Sequence, residues 1–157
     1  MDLEELRRWR QSSIEHPYMA RGILLDSSVW ICYLQAHGWE ELKATLRRAF
    51  VAEQVYTCWV VKAEVLIGAR DELGFAQLSE TLRVLLEIPV TDRVWEAAAR
   101  LGYSSRRQGV TIPLPDLVIA QAAITGDLVL WHVDDHFEHL RRRSSLQTRS
   151  FLSEAHA

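Results

Sequence analysis

Several residue types are scarce in this chain, and each shortage removes a class of answer. Two cysteines in 157 residues, Cys32 and Cys58, both set in apolar sequence, supply neither a disulfide framework nor a Cys-rich zinc site, and read as reduced core residues. There is no Gly-rich turn of the dinucleotide-binding kind and no P-loop. No uninterrupted apolar run is long enough to span a bilayer. The most apolar region, 110–133, is broken by Pro113, Pro115, Asp116, Gln121 and Asp127. The first twenty residues mix Asp2, Glu4, Glu5, Arg7, Arg8 and Arg10 without an apolar stretch, which argues against a secretory signal and for a soluble, cytoplasmic protein without a membrane partner. Positive charge is also in deficit: the net charge is −3, so a polyanionic partner must be held by a local patch or through a metal.

What is present is a core-former. Hydrophobic residues make up 48% of the chain, enough for one compact domain. Residues 1–20 read as an extension in which Leu3, Leu6 and Trp9 share a helical face and Pro17 closes it. The domain proper is expected over 21–151, with 152–157 as a tail. "GILLD" (22–26) reads as a buried strand, with Ser27 and Ser28 capping a helix over 29–36; Gly38 ends it and an amphipathic helix follows over 39–50. Further strands are expected at 54–58, 87–90 and 128–131, with a possible edge strand at 146–151. Helices are expected at 59–69, 71–87, after a cap at Asp92, at 116–125 and near 135–141, with 104–115 as a loop. Strands alternating with helices predict an α/β fold built on a mainly parallel sheet of four to five short strands.

Four acidic segments recur along this frame: "ILLDSS" at Asp26, "VKAEVLIGAR" at Glu64, "PLPDLVIAQAA" at Asp116 and "LWHVDDHF" at Asp134. In each a carboxylate interrupts or ends an apolar run, where a lone charge is costly. Singly, each has an ordinary reading as a helix cap, a solvated helix residue, a first-turn acid or a turn residue. Jointly they point to one edge, because in a parallel sheet the carboxyl ends of the strands border the ligand crevice. Hard oxygen donors gathered there suit Mg2+ or Mn2+ rather than zinc.

In order and spacing, "LLDSSVWI", "AEVLIG", "PDLVIAQAA" and "VDDHF" resemble the PIN-domain family, and most closely the VapC toxins of bacterial toxin–antitoxin pairs. The resemblance implies a three-layer α/β/α sandwich and an endoribonuclease dependent on Mg2+ or Mn2+, leaving 5′-phosphate and 3′-hydroxyl ends. Asp26, Glu64, Asp116 and Asp134 would form its catalytic, metal-holding acid set. It further implies Ser28 as an accessory hydroxyl, a small antitoxin that covers the cleft, and a homodimer. His132 stands where the family often carries Thr or Ser, and His136 where a further acid often precedes the Phe. Asp135 is the reserve for the fourth acid. His132 and His136 are candidates for phosphate contact or proton transfer.

Of eighteen basic residues sixteen are Arg, a bias suited to forked phosphate contacts. Arg106, Arg107, Arg141, Arg142 and Arg143 are the candidate contacts to an RNA backbone. Trp30, Trp59, Trp95 and Trp131 fall in apolar pattern and read as core or dimer surface. A phosphatase of the haloacid dehalogenase kind also begins with a strand ending in Asp, but requires a second acid two residues later, where Ser28 stands. The remaining alternative is a catalytically inactive PIN-like interaction module, which retention of all four acids opposes.

Overall fold

Ile23–Leu25, the apolar run after Gly22, forms β1, fully buried at the centre of a five-stranded sheet of order β3-β2-β1-β4-β5 in which every pairing is parallel. The structure is a computed structural model describing residues 21–155 and Glu4; the helical face expected at Leu3, Leu6 and Trp9 lies outside the described residues. The other strands are β2 (Val55–Thr57), β3 (Leu86–Glu87), β4 (Val129–His132) and β5 (Gln147–Ser150). Around them run α1 (Ser27–Leu34), α2 (Glu40–Ala52), α3 (Trp59–Ile67), α4 (Glu72–Arg83), α5 (Asp92–Arg107), α6 (Leu114–Thr125), α7 (Asp135–Arg141) and α8 (Leu152–Ala155). This is the expected three-layer α/β/α sandwich. Helices α1 to α4 pack among themselves, and α5, α6 and α7 do likewise.

The chain winds outward from β1 to β3, then returns to lay β4 against the other side of β1. That reversal opens a crevice beyond the carboxyl ends of β1 and β4. Register carries the ladder to its rim: Leu25 pairs with Trp131, and the Asp26 N–H donates to the Trp131 carbonyl at 3.0 Å. The core is continuous from Leu24, Val29 and Phe50 through Val61 to Ile119, Leu130 and Phe137. Helix α6 contributes most, burying Leu117, Val118, Ile119, Ala120, Ala122 and Ala123, as its largely apolar sequence requires.

Three local expectations are corrected. The N-cap of α1 is Asp26 rather than Ser27 or Ser28, its carboxylate accepting the Ser28 N–H at 2.9 Å. The third strand lies at 86–87, ahead of Pro89, whose missing N–H unfits it for a ladder. Finally, α5 runs on through Arg107, so 104–107 is helix and not loop; the buried Ser105 turns its hydroxyl back onto the Leu101 carbonyl at 2.9 Å. The turn that follows uses Gly109 at φ +79°, a left-handed conformation that glycine adopts freely, and delivers the chain to α6. Residues 152–155 form a short helix, and Glu154 accepts the N–H groups of Glu41 and Leu42 at 3.0 and 2.8 Å.

Candidate active site

Asp26 leaves the end of β1 directly into the crevice and is 3% exposed. It is held by the Ser28 N–H and by the Ser28 hydroxyl, which donates a short hydrogen bond to the same carboxylate oxygen. That hydroxyl also accepts the Val133 N–H at 3.0 Å. Ser28 therefore ties the β1–α1 corner to the segment that leaves β4, and fixes the two rims of the crevice against each other.

Across the crevice Asp134 caps α7, accepting the His136 N–H at 2.7 Å, while Asp116 sits in the first turn of α6. The His136 ring joins them: its Nδ1 is 2.8 Å from Asp116 Oδ2 and 3.2 Å from Asp134 Oδ1. One donor atom from each of these three residues lies within 4.8 Å of the other two. Glu64, on α3, faces the same space, and its Oε2 is buried with no hydrogen-bond partner among the described residues.

The electrostatics tie all four acids together. Burial pushes the Asp26 carboxyl up to about 6, with Asp116 and Glu64 adding to the rise and the Ser28 hydrogen bonds opposing it. Burial, and then the charge of Asp134, push Asp116 likewise up to about 6; His136 opposes and Glu64 adds. Such a group is short of positive charge. Two carboxylates and the His136 ring form the close group, and Asp26 and Glu64 act on it electrostatically, Glu64 with a buried oxygen that has no partner among the described residues; this acid-rich surrounding fits a hard divalent cation.

The remaining candidates divide. His132, expected as an accessory group at the site, is 0% exposed and turned into the core against Phe137. Its Nδ1 accepts the Asp134 N–H at 3.2 Å, which leaves Nε2 to carry the proton toward Glu138 Oε1 at 3.2 Å; Thr148 donates to that same oxygen at 3.0 Å. Burial lowers its pKa, keeping the ring neutral. His132 thus supports the backbone of Asp134 without entering the crevice. Asp135 is exposed in the first turn of α7, and it is Asp134 that meets Asp116 and His136.

Arg106, Arg107, Arg141, Arg142 and Arg143 are all exposed. Arg143 Nε donates to Gln108 Oε1 at 2.7 Å, drawing the end of α7 to the end of α5, and with it the two arginine groups. Trp30 and Trp131 are core, whereas Trp59 and Trp95 are 62% and 44% exposed. The sequence pointed to no role for the Ser28–Val133 bond or the His136 contact with two acids, since neither spans a spacing that periodicity can read.

The PIN domain family profile matches residues 23–143. The chain is 31% identical over 134 residues to VapC ribonuclease Mb1587 of Mycobacterium bovis and, equally, to ribonuclease VapC11 of Mycobacterium tuberculosis, covering 82% of this chain and 98% of each relative. Among solved structures, VapBC2 from Rickettsia felis, bound to a DNA fragment from its promoter, superposes with a TM-score of 0.69 at 18% identity, over 82% of this chain and 98% of that one.

Proposed function

The chain belongs to the PIN-domain family, and from that premise we propose that its crevice is the active site of a metal-dependent endoribonuclease. Its activity is that of a VapC-type ribonuclease, the toxin of a toxin–antitoxin pair. Asp26, Glu64, Asp116 and Asp134 hold the cation, Mg2+ or Mn2+. The observation that carries this reading is the shortage of positive charge: two carboxyls pushed up to about 6 and a buried Glu64 oxygen without a partner among the described residues.

A bound divalent cation would activate water and offset charge gathering on the phosphate. The protein's own groups do the rest. Ser28 holds Asp26 in place and joins it to the β4 rim, and His132 does the same for the backbone of Asp134. The arginines at the ends of α5 and α7 bind the RNA backbone beside the crevice; they position the strand, and carry no sequence choice themselves.

A small antitoxin is the natural inhibitor of this site. Glu64 lines a groove of about 930 Å3 between α1, α3 and α4, whose wall includes the exposed Ile31, Leu34 and Leu73. An amphipathic antitoxin segment laid there meets Glu64, one of the four acids. A homodimer and a cytoplasmic location belong to the same reading; among the described residues no helix is long and apolar enough to cross a membrane. Trp95, Tyr103 and Leu114 are exposed apolar surface open to such a dimer, and sedimentation of the free chain tests it.

The deciding experiment treats a broad cellular RNA pool, transfer RNA and large ribosomal RNA included, with the purified chain. Cleavage is expected with Mg2+ or Mn2+, and is expected to stop on chelation and in Asp116→Asn. If the intact protein leaves every RNA untouched with either ion, the inactive interaction module is the correct reading instead.

A further inference from the structure

We infer that His136 is itself a ligand of the cation, making the centre a mixed nitrogen–oxygen site that favours Mn2+ over Mg2+. The inference rests on the metal reading above and deepens it. Its ground is the geometry of one ring against two acids. Nδ1 lies 2.8 Å from Asp116 Oδ2 and 3.2 Å from Asp134 Oδ1. Neighbouring donors around one small ion, with bonds of about 2.1 Å, stand roughly 3 Å apart. A histidine that only balanced a surface charge would need one carboxylate. This one meets two, from separate elements, and they are the two on its side of the crevice.

The ring is also placed from its own backbone. The His136 N–H is bound to Asp134 Oδ1 at 2.7 Å, so the residue sits in the first turn of α7, and its Nδ1 lies against the acids. An ion held by both carboxylates would find Nδ1 already facing the same two oxygens, and would take it as a nitrogen ligand. The chemical consequence is selectivity. An all-oxygen set suits Mg2+, whereas an imidazole turns a site toward first-row transition ions, among which Mn2+ still accepts the carboxylates.

The test uses the full chain, Mn2+ and Mg2+ as probes, and a readout separate from cleavage. Pulsed EPR of bound Mn2+ should show coupling to one nitrogen, lost in His136→Gln, which keeps a hydrogen-bond donor toward the acids but no imidazole. Calorimetric titration should show Mn2+ affinity falling about tenfold in that variant, with a smaller change for Mg2+. His136→Asp, restoring an oxygen donor, should swing the preference toward Mg2+. Mn2+ binding that is lost in Asp116→Asn yet shows no nitrogen coupling, or the same coupling in His136→Gln, overturns the inference and leaves the carboxylate site standing. Mn2+ binding that is absent, or indifferent to Asp116→Asn, overturns both.

Discussion

Asp26 does three things with one carboxylate: it caps α1, holds the Ser28 hydroxyl, and stands 3% exposed beside other acids. The last has a pH signature. Its carboxyl and that of Asp116 are pushed up to about 6, above their unfolded value of 3.8. Because the folded values are raised, the stability these groups contribute is complete below about pH 4 and is lost as pH climbs through 6. The cost of ionising each is on the order of 3 kcal/mol. The metal-free protein should therefore show a melting midpoint that drops between pH 5 and pH 7, and saturating Mn2+ should flatten the drop. Asp26→Asn, which keeps an N-capping acceptor, should raise the metal-free midpoint at pH 7 while abolishing cleavage. A midpoint that is flat or rising over this range without metal would contradict the assignment. Ser28→Ala acts in the opposite sense on stability. It strips Asp26 of a donor and leaves the Val133 N–H unpaired, a loss of about 1–3 kcal/mol measurable by urea denaturation, with slower cleavage as the acid loses its fixed position.

At the level of elements, what could be read in advance was whatever rests on local pattern. β1 is a continuous apolar run ended by Asp26, and α6 is a largely apolar stretch, interrupted by Gln121 and opened by Pro113, Leu114 and Pro115 just ahead of Asp116, so both acids were visible at element ends. The last turn of α5 was not, because Ser104, Ser105, Arg106 and Arg107 are loop-like in composition. What makes them helical is Ser105 buried with its hydroxyl satisfied inside the helix, and two arginines well suited to a helix carboxyl end. The burial of His132 was equally illegible: its partners are Glu138 on α7, which in turn holds Thr148 on β5, and no short spacing announces such a network. The same is true of Glu154. The N-cap of α2 is Trp39, whose φ of 60° is left-handed and whose side chain caps nothing; the carboxylate of Glu154, 113 residues from Glu41, caps the helix instead. Glu154→Ala should cost about 1–2 kcal/mol in chemical denaturation and leave cleavage of a given RNA unchanged. A stability equal to the intact chain would show that water replaces the cap at no loss.

For the whole molecule the governing fact is a net charge of −3, with four acids at the crevice and the exposed arginines of α5 and α7 apart from them. Long-range attraction for RNA is weak under that balance, so binding has to come from the ends of α5 and α7, which Arg143 draws together through Gln108. Arg106 and Arg107 are exposed and make up the last turn of α5. If they contact phosphates, the affinity of the non-cleaving Asp116→Asn protein for single-stranded RNA should fall with salt, and Arg106→Ala with Arg107→Ala should flatten that dependence by roughly 0.7 log units per log unit of salt for each contact removed. In the cleaving protein the same pair should raise KM and spare kcat, since positioning contacts made equally before and during reaction act on binding alone. An affinity loss without any change in salt slope would mean that the two arginines act through the fold of α5. Circular dichroism of the variant distinguishes that outcome, because a frayed α5 loses helix whereas a lost phosphate contact does not.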